Sequence, residues 1–170
     1  MKILITGSMG VGKTTLAKML GEARKIEVLP EVARDMIQEG YDLGSGISDA
    51  TERTMLQRQM LLELEDEFIA DRGLIDILAY CMVLFEDNSD LLNYVNKWLS
   101  KAHYDIVFYL PIEFPIEDDG VRTTDKEFQK KIDEAVKFIL KSSPFKWYEI
   151  KGTKEERLNK VLDKLLVINK

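Results

Sequence analysis

At 170 residues with 45% hydrophobic content, the chain can bury one sizeable core and reads as one domain spanning residues 1–170. No apolar run reaches the roughly 18 residues of a membrane span. The lone cysteine, Cys81, excludes an intrachain disulfide, and one histidine, His103, cannot build a zinc site with it. A net charge of −6 disfavours nonspecific nucleic-acid binding.

The first predicted strand, Lys2–Thr6, runs directly into Gly7-Ser8-Met9-Gly10-Val11-Gly12-Lys13-Thr14, a full G-x-x-x-x-G-K-[ST] string, and then into a helix-forming stretch over 13–24. Strand, glycine-rich turn and helix is the context a phosphate-binding loop requires. Glycines at 7, 10 and 12 tolerate positive φ, so successive N–H groups can face an anion at the helix start. Lys13 would reach the β/γ-phosphates, the Thr14 hydroxyl would ligate Mg²⁺, and Ser8, Val11 and Thr15 complete the nucleotide cradle. The loop lies where a cleavable leader would be, so no secretory signal is expected and a cytoplasmic location is.

A second strand, 26–29, ends in Pro30-Glu31, and a helix follows over 31–39. A carboxylate in the first turn suits the helix dipole. Glu31 also falls at the strand edge where an acceptor would bind, with Arg34 one turn on, and a carboxylate there can take a hydroxyl proton or hold a sugar hydroxyl. After a loop rich in turn formers over 40–48, a helix is predicted over 50–66. A third strand, Phe68–Asp71, follows and terminates in an aspartate placed like the second Mg²⁺ carboxylate of phosphoryl-transfer sites. Next comes a predicted helix over 73–86. Arg72, Asp76 and Tyr80 are spaced four apart and are expected to line one of its faces. The bland reading of the same residues is a surface ion pair beside an aromatic core residue. Cys81, among apolar neighbours, reads as an inert buried thiol.

A helix over 89–101 and a fourth strand over 105–110 lead to a long loop, 111–122, carrying Asp118, Asp119 and Arg122. Arg122 is the candidate lid arginine for a transferring phosphoryl group. The lid-like segment, about 111–124, ends at Thr124-Asp125-Lys126-Glu127, a capping box for a helix over 125–141. A fifth strand, 147–150, a turn at Lys151-Gly152-Thr153 and a helix over 153–168 close the chain. Strands alternating with helices point to an α/β fold: a parallel sheet covered on both faces, with ligands at the carboxyl ends of the strands.

Together, GSMGVGKT, PEVAR after the second strand, FIADRGLIDILAY at the third and EDDGVRTTD after YDIVFYLP resemble the small P-loop kinases of the nicotinamide-riboside-kinase-like (NadR-type) AAA-domain group, whose relatives are common in phages. The likeness covers nearly the whole chain. Its element order also resembles thymidylate and deoxynucleoside kinases, which implies a three-layer P-loop NTPase fold with strand order 2-3-1-4-5. The resemblance implies that Lys13, Thr14 and Asp71 serve ATP-Mg²⁺, that Glu31, Arg34 and Arg72 face the acceptor, and that Arg122 belongs to the lid.

The reaction expected is transfer of the γ-phosphoryl group of ATP to a nucleoside, nucleotide or similar small acceptor. A close variant acts on nucleic acid, at a 5′-hydroxyl or a hydroxymethylated base. A P-loop ATPase without a transfer product is a third reading. A regulatory GTPase is disfavoured, because no aspartate has glycine three residues on and Asn96-Lys97-Trp98-Leu99 lacks the terminal aspartate of a guanine-reading motif.

Overall fold

The computed structural model describes residues 1–43, 47–114 and 125–168. In chain order the elements are β1 (Lys2–Thr6), α1 (Lys13–Arg24), β2 (Val28–Leu29), α2 (Val32–Gln38), α3 (Asp49–Leu62), β3 (Phe68–Asp71), α4 (Leu74–Leu84), α5 (Ser89–Leu99), β4 (Ile106–Tyr109), α6 (Lys126–Ser142), β5 (Trp147–Glu149) and α7 (Lys154–Ile168). The strands form one parallel sheet in the order β2-β3-β1-β4-β5, the order implied by the resemblance.

Side-chain alternation splits the sheet's two faces. Ile3, Ile5, Ile69, Ile106 and Phe108 pack with Leu16 and Leu20 of α1 and Val161 and Leu165 of α7. Leu4, Phe68, Ala70, Val107 and Tyr109 pack with residues of α3, α4, α5 and α6 on the other face. Both faces are therefore dry, and the strands read as near-continuous apolar runs. Among the described residues, no helix is long and apolar enough to cross a membrane.

The differences from the sequence expectations have local causes. β2 begins at Val28 because Lys25 takes a left-handed conformation and the N–H groups of Lys25 and Ile26 close the end of α1 on the Gly21 carbonyl. α3 stops at Leu62 rather than 66. The next residues include Glu63, Glu65, Asp66 and Glu67, which the negative end of a helix dipole disfavours. Asp125, rather than Thr124, caps α6 by accepting from the N–H groups of Glu127 and Phe128.

Candidate active site

The turn from β1 to α1 is shaped by backbone constraint. Gly7, Gly10 and Gly12 have φ of 142°, 73° and 90°. At Gly7 a Cβ would also lie 2.4 Å from the Leu110 carbonyl oxygen, so this position admits no side chain. Gly12 serves as the N-cap of α1 without a side-chain cap. Every other helix carries an acidic residue in its first turn, whereas α1 has none. Its positive dipole end is thus left for an external anion.

Two side chains from distant elements pin the loop. Arg157 of α7 donates from Nη1 to the Val11 carbonyl at 2.6 Å, while its Nη2 pairs with Glu113 at 2.7 Å. Gln129 of α6 donates to the Met9 carbonyl at 2.8 Å. Val11 itself is a core residue, so its side chain packs inward and only its backbone remains for phosphate. The Lys13 ammonium lies inside the turn, donating to the carbonyls of Gly7 (2.8 Å) and Ser8 (2.5 Å).

β3 lies beside β1, with Asp71 in register with Ile5, so β3 ends beside the strand that leads into the loop. Asp71 is 6% exposed. Its Oδ1 and the Ser8 Oγ are buried without a hydrogen-bond partner, while the Thr6 hydroxyl faces the Asp76 carboxyl. Orphaned oxygens around a phosphate loop fit a hard cation and anionic oxygens. The Thr14 hydroxyl and Asp71 are the residues that would hold Mg²⁺. Among the described residues there is no ready-made cluster of three or more His, Cys, Asp or Glu.

The second half of the site begins where β3 ends. Arg72 adopts φ of 79°, which is uncommon for a residue with a side chain. Its backbone is held on both sides: its N–H donates to the Ile5 carbonyl at 3.1 Å and its carbonyl accepts from Gln59 at 3.3 Å. The turn places Arg72 ahead of α4 rather than on its face, which corrects the spacing argument. The guanidinium still meets Tyr80, at 3.3 Å from Nη1 to the hydroxyl, and donates from Nε to Glu31 Oε1 at 3.0 Å. Burial opposes its charge. Tyr80, Glu31, Asp76 and Asp71 together outweigh that and hold its pKa above the usual arginine value.

Glu31 is the N-cap of α2, yet its side chain caps nothing. It turns inward, with its side chain 9% exposed, between Arg72 and the Nη2 of Arg34 at 3.5 Å. Arg34 stands at the rim with half its side chain in solvent. Asp76 has a structural role as well: its Oδ2 accepts from the Gly73 N–H at 3.0 Å. Its Oδ1 makes no short hydrogen bond, and the Thr6 hydroxyl nearby favours the charged form. Burial pushes its carboxyl upward, against the opposing pull of Lys13 and Arg72.

These residues enclose a cavity of ≈ 560 Å³ that starts at Met9 in the phosphate loop and extends past Glu31, Arg72, Asp76 and Tyr80 to the inner faces of α2, α3 and α4. Its size suits a small-molecule ligand. The structure therefore gathers the sequence-predicted Glu31, Arg34, Arg72, Asp76 and Tyr80 around one cavity, which Met9 joins to the loop; Asp71 does not line it. Arg122, Asp118, Asp119 and most of the lid-like segment lie outside the described residues. Sequence reasoning missed Glu52, Gln59 and Gln129, and it gave Arg157 no role. Gln129, Arg157 and Gln59 act on backbone carbonyls remote in sequence, which leaves no local signature.

Fold and loop together define a P-loop nucleotide-binding domain with the sheet order of P-loop kinases. The chain belongs to the AAA domain family, which matches residues 2–157. Among solved structures, it is similar to deoxyadenosine kinase from M. mycoides with a TM-score of 0.75 and 20% identity, covering 99% of this chain and 100% of that one. It is similar to NadR protein in complex with NR, with a TM-score of 0.80 and 17% identity over 96% of this chain and 50% of that one. It is also similar to thymidylate kinase from Ehrlichia chaffeensis, with a TM-score of 0.71 and 16% identity over 97% and 98% of the two chains. At these identities the likeness establishes a shared fold. No curated protein matches the sequence.

Proposed function

We propose that this protein is an ATP-dependent phosphotransferase that moves the γ-phosphoryl group to a hydroxyl or phosphate of a nucleoside, nucleotide or related small acceptor. The observation carrying this reading is the buried Glu31–Arg72 pair facing a cavity that opens from the phosphate loop. A plain ATPase needs only water beside its nucleotide, and has no use for an acceptor-sized cavity with a carboxylate at its inner end. The structures of similar fold include a deoxyadenosine kinase holding dCMP and a flexible dCDP, and NadR protein holding NR. A cavity of ≈ 560 Å³ favours such a small acceptor over a nucleic-acid chain.

In this reading the loop amides from Gly7 to Thr15 bind the donor's phosphates, and Lys13 leaves the Gly7 and Ser8 carbonyls to follow them. Mg²⁺, held through Thr14 and Asp71, would neutralise phosphate charge. Glu31 takes the proton of the acceptor hydroxyl or orients it, and Arg72 fixes the Glu31 carboxylate and faces the acceptor. Arg34 approaches from the rim, Asp76 and Tyr80 line the acceptor side, and Arg122 is assigned by sequence to the transferring phosphoryl group. The single domain with a lid-like segment at about 111–124 belongs to the same proposal.

The test incubates the protein with γ-labelled ATP, Mg²⁺ and a panel of nucleosides, monophosphates, nicotinamide riboside and oligonucleotides. Label on one class of small acceptor is the expected result. Release of inorganic phosphate alone, at a rate no acceptor changes, would leave an ATPase.

A further inference from the structure

At the far end of the acceptor cavity, Glu52 on α3 is 1% exposed and lines the cavity wall. Its Oε2 is buried with no hydrogen-bond partner. The other charged residues of the same helix are engaged: Arg53 with Asp49 at 2.5 Å, and Arg58 with Glu39 at 2.7 Å. The helix-start position favoured for an acid is also taken, because Asp49 holds Arg53 and accepts from Asn88 at 2.9 Å. Glu52 is therefore not needed as a dipole partner or in a surface pair. Burial alone pushes its carboxyl up to about 7. On α4, the Cys81 thiol is pushed up by burial and by Glu52, and Asp76 lines the same cavity.

A buried carboxyl without a partner is costly to the fold, and that cost needs a compensating interaction. None of the polar residues lining the cavity bonds Glu52 Oε2, and Ile37, Met55, Ile77, Leu84 and Phe128 give the same cavity apolar surface suited to a flat ring. A carboxyl group, whether ionised or protonated, can always accept at least one hydrogen bond. A ring bearing an N–H donor on its edge satisfies it; a ring without one leaves it stranded.

We propose that Glu52 is the specificity-determining residue of the acceptor site, reading an exocyclic amino or amide N–H on the ring of the acceptor. This rests on the phosphotransferase reading for the identity of the cavity, but its test does not depend on turnover. Equilibrium binding is measured for ligand pairs differing at that group: adenosine and purine riboside, guanosine and inosine, cytidine and pyrimidin-2-one riboside, nicotinamide riboside and nicotinic acid riboside. In the wild-type protein, at least one amino- or amide-bearing member should bind about tenfold or more tightly than its partner. In Glu52→Leu, which matches the side chain in size, that ratio should collapse toward one while ATP binding is retained. The same variant should unfold at a higher temperature, since it removes an unpaired buried carboxyl; a merely structural role would lower it. Equal binding within all four pairs by the wild-type protein overturns the proposal, even where the variant fails to fold. So does a ratio that survives Glu52→Leu. Binding preference without label transfer to any acceptor would retain Glu52 as the reader and remove the phosphotransferase reading instead.

Discussion

The two ends of the site are built by different physics. At the donor end, backbone geometry makes the site: three glycines at positive φ, an uncapped helix start and carbonyls pinned by Gln129 and Arg157. Of its polar side chains, Ser8 and Asp71 each carry a buried oxygen without a partner. At the proposed acceptor end, side chains make the site, and most are already committed to one another through Glu31, Arg72, Arg34 and Tyr80. Glu52 makes no such pairing. A phosphate chain is the same in every nucleotide, so a backbone cradle serves; acceptors differ, and only side chains can distinguish them.

The sharpest break in that comparison is Lys13→Ala. It should lower transfer about 10³-fold or more while circular dichroism keeps the wild-type spectrum, because the ammonium that would follow the phosphates is lost and the glycine-built turn is not. Retained turnover would remove the ammonium from the donor end. Glu31→Gln should cost about 10²–10⁴-fold in kcat with acceptor affinity largely kept. If kcat is unchanged and only acceptor KM rises, Glu31 orients the acceptor and takes no proton. Arg122→Ala should reduce kcat about 10²–10³-fold and ATP affinity much less, as expected of contacts that strengthen in the transition state. Equal losses in both would count against a lid role.

Smaller effects sharpen the supports. Arg157→Ala strands the Val11 carbonyl and leaves Glu113 only the Gly152 N–H, and should cost roughly 1–3 kcal/mol of stability along with weaker ATP binding. Urea titration with and without nucleotide separates the two losses. The pH dependence of stability reports the buried carboxyls. Glu52 and Glu63 are each raised from 4.5 to about 7, chiefly by burial; Gln59, Tyr104 and Lys2 partly oppose the rise at Glu63. Their folded-state values lie above the unfolded ones, so the folded state holds more protons across that interval. Stability should therefore fall as pH rises from about 4.5 to 7, by up to roughly 3 kcal/mol per carboxyl, and level off above. Glu52→Gln should remove its share of that slope. A slope unchanged in the variant would place Glu52 in contact with water or a cation.

What the sequence disclosed follows the same division. β1, the loop and α1 were legible to the residue because strand, turn and helix signals are contiguous between Lys2 and Arg24. Asp71 was legible because it ends an apolar strand. The acceptor side was only partly so: Glu31 and Arg72 could be nominated singly, but their pairing spans 41 positions and depends on the left-handed turn at Arg72, which no residue preference encodes. Glu52 was invisible, lying between Thr51 and Arg53 on a helix whose polar pattern looks solvated. Its burial comes from α4 and the cavity wall, which only the fold brings to it.

The most direct measurement of the central claim joins both ends in one molecule. A bisubstrate compound links the acceptor identified by label transfer to adenosine through a polyphosphate bridge, and its affinity is compared with those of ATP and acceptor alone. If loop and cavity are two halves of one transfer site, it should bind about 10²-fold or more tightly than either, and both Lys13→Ala and Arg72→Ala should erase that gain. Binding no tighter than ATP, or a gain indifferent to Arg72, would mean that the cavity beside the phosphate loop is not where an acceptor is phosphorylated.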